Sequence, residues 1–487
     1  MIMIRDRYIS FIFMAMFCTR LYAATITVYG EQRVYNPDSK HFSIIIPTYN
    51  NQEWCVQNLR SVLEQEYDNF DIIIIDDCSS DMNIACIEEC LCTYPLPCIV
   101  TLICNDARYG PAANRYQAIH RCDDDAILIF LDGDDFLANH TVLNYLNTVY
   151  QDDDVWMTYG QYIFHTSSKR GWTSEIPSWV KQYGMLRNYG WVCGHLRTAR
   201  AWLAHQVKLI DLWFDGTYVP MATDVALFMP MLEKSGYHTR YCSEVLCVYN
   251  DNTSLNMSTV NPRLQRSLDK IIRARPAYAA LEQPILSPSF DNCSAVMLIL
   301  SYGDCAAVER LIGAAQQHLM RNDAVHIVYH TNDRRLDAQY QALHDRYHVY
   351  CTNLKNYVKD GLEGYVAGLD SEYVLCADDT ATITAPLDTR SCMQLLEQTG
   401  AYGFYTSLTW LTPDRPERCN YIGNDLWAWQ FAYGTAVWYH ANSLNMVLYR
   451  KDILLQQWRK IPFRALPELR RVWSALHMSG EIGLFHA

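Results

Sequence analysis

From His41 onward the chain alternates short apolar runs with amphipathic stretches, and each apolar run stops at a polar cluster. Ser43-Ile44-Ile45-Ile46 ends at Pro47-Thr48-Tyr49-Asn50, and Ile72-Ile73-Ile74-Ile75 ends at Asp76-Asp77. Short apolar runs bounded by turn-forming residues predict strands buried on both faces. Between them, Trp54 to Glu66 places Val56, Leu59, Val62 and Leu63 at helical spacing. Strand, helix and strand in this order predict a right-handed βαβ unit. A strand over Ile99 to Ile103, a helix around Pro111 to His120 and a strand over Ala126 to Leu131 follow, the last running into Asp132-Gly133-Asp134-Asp135. The pattern is that of an α/β domain whose strands deliver polar residues at their carboxyl ends, where open sheets bind ligands.

The stretch from Asn261 to Asp291 carries Pro262, Pro276, Pro284 and Pro288 with little periodicity beyond one short helix, so 261–292 reads as a connection between domains. The first pattern then returns. Ala295 to Leu300 ends at Ser301-Tyr302-Gly303-Asp304, Val325 to Tyr329 ends at Thr331-Asn332-Asp333, and Tyr373 to Cys376 ends near Asp378-Asp379, with helices between. Ser43 to Asp134 is 91 positions and Ala295 to Asp378 is 83. The spacing points to a second, related α/β domain over 293–487, after a first over 40–260. Asp378-Asp379, and Asp425 before the aromatic Trp427 and Trp429, could form a second ligand site like that of the first domain, or a decayed copy serving recognition of another substrate or dimerisation.

At the N-terminus, Arg5 and Arg7 precede an apolar run from Tyr8 to Cys18 that Arg20 interrupts, followed by Leu21-Tyr22-Ala23-Ala24. A spanning helix needs about 20 apolar residues, roughly twice this run, so 1–24 reads as a signal peptide or membrane-proximal segment. A cytoplasmic protein with a buried N-terminal helix is the alternative.

Composition narrows the chemistry. The net charge of -13 and the absence of any Lys/Arg-rich run argue against a nucleic-acid partner. The 18 cysteines lack repeated C-x-x-C pairs, so they read as buried or incidental thiols rather than a zinc framework. Carboxylates closing an apolar strand repel one another and lose hydration. The nearest basic residue along the chain is Arg121, so a divalent cation holding a diphosphate is the natural partner of Asp132, Asp134 and Asp135. Oxygen ligands of this kind suit Mn²⁺ or Mg²⁺. A plain helix-capping role is the other reading.

Three segments, Ser43 to Asn50, Asp76-Asp77-Cys78-Ser79-Ser80-Asp81 and Leu131 to Asp135, resemble in order and spacing the successive signatures of family 2 inverting glycosyltransferases of the GT-A fold. The resemblance covers roughly Phe42 to Asn256. It implies a Rossmann-like mixed sheet and a nucleotide-sugar donor whose sugar passes with inversion to a carbohydrate or other hydroxyl acceptor. It implies Pro47, Tyr49 and Asp77 around the nucleoside, Asp132 near the ribose and Asp134 on the metal. Cys78 stands where Gly or Asn is usual, which leaves the positive-φ geometry of that turn open. Ala222-Thr223-Asp224 opens a helix where the family places its catalytic carboxylate, so Asp224 is the implied general base. The acceptor hydroxyl must lose a proton as it attacks. In Trp191 to Thr198, also found in a subset of the family, His195 and Arg197 either touch the donor or serve as a core histidine and a surface cation. Trp172, Trp179, Trp191 and Trp202 are candidates for sugar stacking or ordinary packing.

Two other functions compete with this one. A sugar nucleotidyltransferase would start with a Gly-rich phosphate loop ending in a basic residue, and none follows Ile46. A non-catalytic carbohydrate-binding or scaffolding protein that kept the fold conflicts with the acidic triplet and Asp224 in the first domain.

Overall fold

The computed structural model describes residues 24–31, 38–253, 261–287, 293–320, 323–354, 358–409, 412–423, 426–476, 478 and 480–486. The N-terminal segment read as a signal peptide, and Asp425, lie outside the described residues.

The first sheet contains β1 (Thr25–Tyr29), β2 (Phe42–Thr48), β3 (Phe70–Asp76), β4 (Val100–Cys104), β5 (Ile127–Phe130), β6 (Phe136–Leu137), β7 (Met157–Phe164), β8 (Arg197–Arg200) and β11 (Thr239–Tyr249). Its order is β1-β4-β3-β2-β5-β8-β7-β11-β6, and β9 (Trp213–Phe214) and β10 (Thr217–Tyr218) form a separate hairpin. Strands β4, β3, β2 and β5 are parallel; β1 caps β4 in antiparallel register, and β8 runs antiparallel between β5 and β7. This is the mixed α/β sheet of a GT-A fold.

Both faces of the parallel strands are covered, which is why their sequences are continuously apolar rather than alternating. Ile44, Ile46, Ile72 and Ile74 pack with Leu59 of helix α1 (Cys55–Leu63), Ile87 of α2 (Asn83–Thr93) and Leu143 of α4 (Val142–Tyr150). Ile45, Ile73 and Ile75 face the opposite side, with Ala112 and Tyr116 of α3 (Pro111–Ile119) and Phe228 of the helix Thr223–Ser235. Cys55, Cys90, Cys98 and Cys242 are buried as free thiols, and every cysteine among the described residues is free.

The second sheet runs β14-β13-β12-β15-β19-β16-β20-β18-β17, built from β12 (Ala295–Ser301), β13 (Ala324–Tyr329), β14 (Tyr350–Asn353), β15 (Tyr373–Asp378), β16 (Gly403–Tyr405), β17 (Cys419–Gly423), β18 (Leu426–Gln430), β19 (Val447–Arg450) and β20 (Ile482–His486). Strand for strand, β14-β13-β12-β15 repeats the parallel block β4-β3-β2-β5. The next strands repeat too: β19 is antiparallel to β15, β16 is antiparallel to β19, and β20 is parallel to β16, as β8, β7 and β11 are in the first sheet. The edges differ: β1 flanks β4 with no counterpart beside β14 among the described residues, and beyond β20 lies the β17–β18 hairpin that follows β16, whereas β6, beyond β11, directly follows β5.

The stretch read as a connection begins with an ordered helix, Pro262–Arg273, which buries Leu268 and Ile272. It is tied to the first sheet's domain: Arg187 donates to the Ile272 carbonyl at 2.7 Å, and Arg273 to the Tyr189 carbonyl at 2.9 Å. The two sheets also meet directly. Tyr116 donates to the Gln398 carbonyl at 3.0 Å, Arg418 pairs with Asp215 at 2.8 Å, and the Tyr109 and Tyr421 rings lie 5.1 Å apart. No helix among the described residues is long and apolar enough to cross a membrane.

Candidate active site

Strand β5 ends at Phe130, and the chain then turns sharply at Asp132–Asp135, closed by a hydrogen bond from the Asp135 amide to the Asp132 carbonyl at 3.0 Å. Gly133 is required there. A Cβ at this position would stand 2.9 Å from both the Pro47 carbonyl oxygen and the Thr48 Cβ, because the turn presses against the end of β2. From α1, the buried Asn58 amide donates to the carbonyls of Asp132 at 2.9 Å and Asp135 at 2.7 Å. A polar residue on the core face of an amphipathic helix was the sequence signal for this contact.

The nearest charge partners of the acidic turn are remote in sequence. Arg115, on α3 and 5% exposed, pairs with Asp132 and reaches Asp224 at 3.5 Å and the Thr223 hydroxyl at 3.1 Å. Arg197, 3% exposed, starts β8, which places it opposite Phe130 at the end of β5. Its guanidinium donates to Asp224 at 2.8 Å and to the Cys193 carbonyl at 3.0 Å. The expectation that the acidic turn lacks a cationic partner within the protein is therefore corrected: the buried Arg115 pairs with Asp132 of the turn, while Arg197 pairs with Asp224 beside it. Arg115 was missed, although Asn114, Arg115 and Gln117 in an otherwise apolar buried helix mark a polar task there.

Asp134 sits between these pairs with a different balance. Burial, then the neighbouring Asp132, push its carboxyl up to about 7. Burial alone would raise Asp224 as well, but Arg197 and Arg115 outweigh it and hold that carboxyl at about 2. Asp135 is fully enclosed: its Oδ1 accepts from the Asn250 amide at 2.8 Å, and its Oδ2 lies 3.3 Å from His195 Nδ1. Burial, then Arg197, lower His195 to about 4, so it sits as a neutral ring between Asp135, Tyr162 and Tyr249. Asp135, His195 and Cys247 bring ligand-type atoms within 4.8 Å of one another, all of them buried.

The other predicted residues gather at the same strand ends. Asp77 accepts from the amides of Tyr109 at 2.8 Å and Gly110 at 2.9 Å, fixing the loop that starts α3 and so placing Arg115. Tyr49, just past β2, is covered by Arg108, whose Cζ lies 4.0 Å from the ring centroid. Pro47 accepts from Gly133 at 3.2 Å. Cys78 does adopt positive φ, at 61°, in a turn held by Asp76, which accepts from the Ser79 amide at 2.9 Å. The geometry left open by this substitution is thus the usual one, reached with an L side chain. Of the four tryptophans, Trp202 is buried, Trp191 is half-buried, and Trp172 and Trp179 are exposed.

Asp134 fits a divalent cation on its own chemistry: it is a hard oxygen donor, raised by burial and then by its neighbour's charge, at the mouth of parallel strands where both flanking carboxylates already have arginine or main-chain partners. Asp132 is engaged with Arg115, so a metal there would share it.

The profile of glycosyl transferase family 2 matches residues 43–203. An uncharacterized glycosyltransferase of Haemophilus influenzae is 38% identical over 122 residues, which cover 25% of this chain and 47% of that protein. The poly(ribitol-phosphate) β-N-acetylglucosaminyltransferase TarS of Staphylococcus aureus is 29% identical over 103 residues, 21% of this chain and 17% of the relative. Its crystal structure (residues 1–349, in complex with UDP-GlcNAc) superimposes with a TM-score of 0.36 and 17% identity, covering 45% of this chain and 61% of that one. The chain thus spans less than half the length of these curated relatives.

Proposed function

The N-terminal domain of this chain is a family 2 glycosyltransferase domain, and we propose that it transfers a sugar from a nucleotide-diphosphate donor to a hydroxyl acceptor with inversion, assisted by a divalent cation at Asp134. The observation that carries this reading is Arg115: one guanidinium joins Asp132, the implied ribose residue, to Asp224, the implied base, at 3.5 Å. Donor-side and acceptor-side chemistry then share a single charge network.

In that network Asp134 is the carboxylate for the metal, with Asp132 beside it. When bound, the cation neutralises charge on the departing diphosphate. Asp224 takes the acceptor proton as the hydroxyl attacks the anomeric carbon from the face opposite the diphosphate, which inverts configuration. A carboxylate held at about 2 is a weak base in the empty site. The diphosphate brings negative charge to the region of Arg115 and Arg197, and drawing on those guanidinium groups relaxes their hold on Asp224. Asp77 serves the donor by setting the Tyr109–Gly110 loop and α3. Tyr49 and Pro47 line the nucleoside side, and His195 supports Asp135 behind the metal position.

The test is release of nucleotide and formation of a glycoside from UDP-, GDP-, CDP- and TDP-sugars by the full chain with Mn²⁺, with the product anomer read by NMR. Asp134→Ala and Asp224→Asn should each abolish turnover with the fold retained. Unchanged turnover in both variants, or a product with retained configuration, would overturn the assignment.

A further inference from the structure

We propose that the second sheet carries its own ligand site, at the carboxyl ends of β12 and β15, and that it takes a neutral saccharide rather than a metal-bound nucleotide diphosphate. The argument starts from register. In the first sheet Ile45 lies opposite Phe130, which sets Pro47 and Thr48 opposite Asp132 and Gly133. In the second, Leu300 lies opposite Asp378, so Ser301, the last residue of β12, falls opposite Asp379. Aligning the last residues of β2 and β12 makes Asp378 the counterpart of Asp132, Asp379 of Gly133 and Thr380 of Asp134.

The turns support the correspondence independently. The Ala381 amide donates to the Asp378 carbonyl at 3.0 Å, the same closure that joins Asp135 to Asp132. At the position where the first domain holds its metal carboxylate, the second therefore holds a threonine. Its two remaining acids are already engaged. Asp378 accepts from the Thr380 amide at 2.9 Å and pairs with Arg470 at 3.2 Å, while Asp379 accepts from the Tyr302 amide at 2.8 Å.

The pocket has not closed with the loss of the metal carboxylate. A cavity of about 450 Å³ opens beside Asp378, bounded by Tyr405, Ser407, His440, Asn445, Arg470 and Trp473. Ligand cavities typically span about 300–1,000 Å³. Among the described residues, the lining's only full charges, Asp378 and Arg470, neutralise each other, so a diphosphate would enter with nothing to compensate it. A saccharide suits the same walls: hydroxyls can pair with the half-exposed Arg470 guanidinium and with the exposed Ser407 and Asn445, and the exposed His440 ring and Val437 can meet the sugar's apolar face. Tyr302, the counterpart of Tyr49, buries a hydroxyl without a hydrogen-bond partner among the described residues, close to the charges of Asp378 and Arg470.

The test uses the full chain on an array of neutral oligosaccharides in EDTA, with Mn²⁺ and UDP or GDP titrated separately. Retention by at least one neutral glycan series is expected without metal, weakened about tenfold or more in Arg470→Ala and in Ser407→Trp, and unchanged in Asp134→Ala. Ser407 is exposed, so the tryptophan fills the cavity from its rim while the melting temperature is retained. The proposal is overturned if no neutral glycan binds in EDTA, if binding ignores both cavity variants, or if a second Mn²⁺-dependent nucleotide binds per chain. Failure of the transfer reading would leave glycan binding intact, so the two fail separately.

Discussion

Replacing Arg115 by methionine keeps an unbranched apolar stem in α3 and deletes the charge that joins Asp132 to Asp224. At 3.5 Å, the guanidinium and the Asp224 carboxylate attract by about 5 kcal/mol at an effective dielectric near 20. That figure is an upper bound, because the side chains of Asp132 and Asp224 keep 29% and 31% of their surface in water. Breaking a buried pair costs about 3–5 kcal/mol, and this partial exposure brings the expected loss to about 2–3 kcal/mol. For a domain of this size, that lowers the melting temperature by roughly 4–12 °C. Circular-dichroism melts of the wild type, Arg115→Met, Asp132→Asn and the double variant form a cycle. The double variant should recover about 1–2 kcal/mol relative to additivity, since a neutral amide in place of the Asp132 carboxylate no longer needs a cation. Nucleotide release should fall by about 100-fold or more in Arg115→Met, as for loss of a preorganised charge in other active sites. An Arg115→Met melt within about 1 °C of wild type, or coupling below about 0.3 kcal/mol, would refute the charge network.

Three further outcomes follow from particular residues. Because Asp134 is raised to about 7, Mn²⁺ must displace a proton below that pH; its apparent Kd by calorimetry should rise towards tenfold per pH unit under 7 and level off above it, and a flat profile from pH 5.5 to 8 would count against Asp134 as ligand. Cys78→Gly removes an L side chain from φ 61°, a strain of about 1–2 kcal/mol offset by about 0.5–1 kcal/mol of added chain entropy, so urea melts should show a net gain of about 0.5–1 kcal/mol, and a loss would mean the thiol contributes packing. Burial, then His205, lower His120 to about 3, so its neutral form stabilises the fold fully above about pH 6.5 and that stability is lost as pH falls towards 3. By pH 5 the loss is about 2 kcal/mol, and His120→Gln should flatten the melting-temperature profile between pH 6.5 and 4, whereas parallel profiles would exclude this group.

Much of the first domain was readable because its parallel strands are buried on both faces: Ile44 to Ile46 and Ile72 to Ile75 had to be apolar throughout, and a polar residue ending such a run had to face the crevice. The helix at Asp224 was legible for the same reason, as an acid opening a buried helix. The stretch 261–292 reads as a linker with one short helix because Pro276, Pro284 and Pro288 follow it; that helix, Pro262–Arg273, buries only Leu268 and Ile272, so its attachment to the first domain was not legible.

The sequence alone determined where the carboxylates lie, since each is set by the end of a local strand or the start of a local helix, and it showed that the architecture recurs. Only the tertiary structure decided how their charge is balanced. Arg115 is 17 positions from Asp132 along the chain, and Arg197 is 27 from Asp224, yet both pairs close because α3 and β8 converge on the end of β5. The structure also separated the two halves. Asp378-Asp379 looks like the acidic turn when read along the chain, but register places Thr380 where Asp134 stands, and cross-strand register is a property of paired strands rather than of either strand's residues.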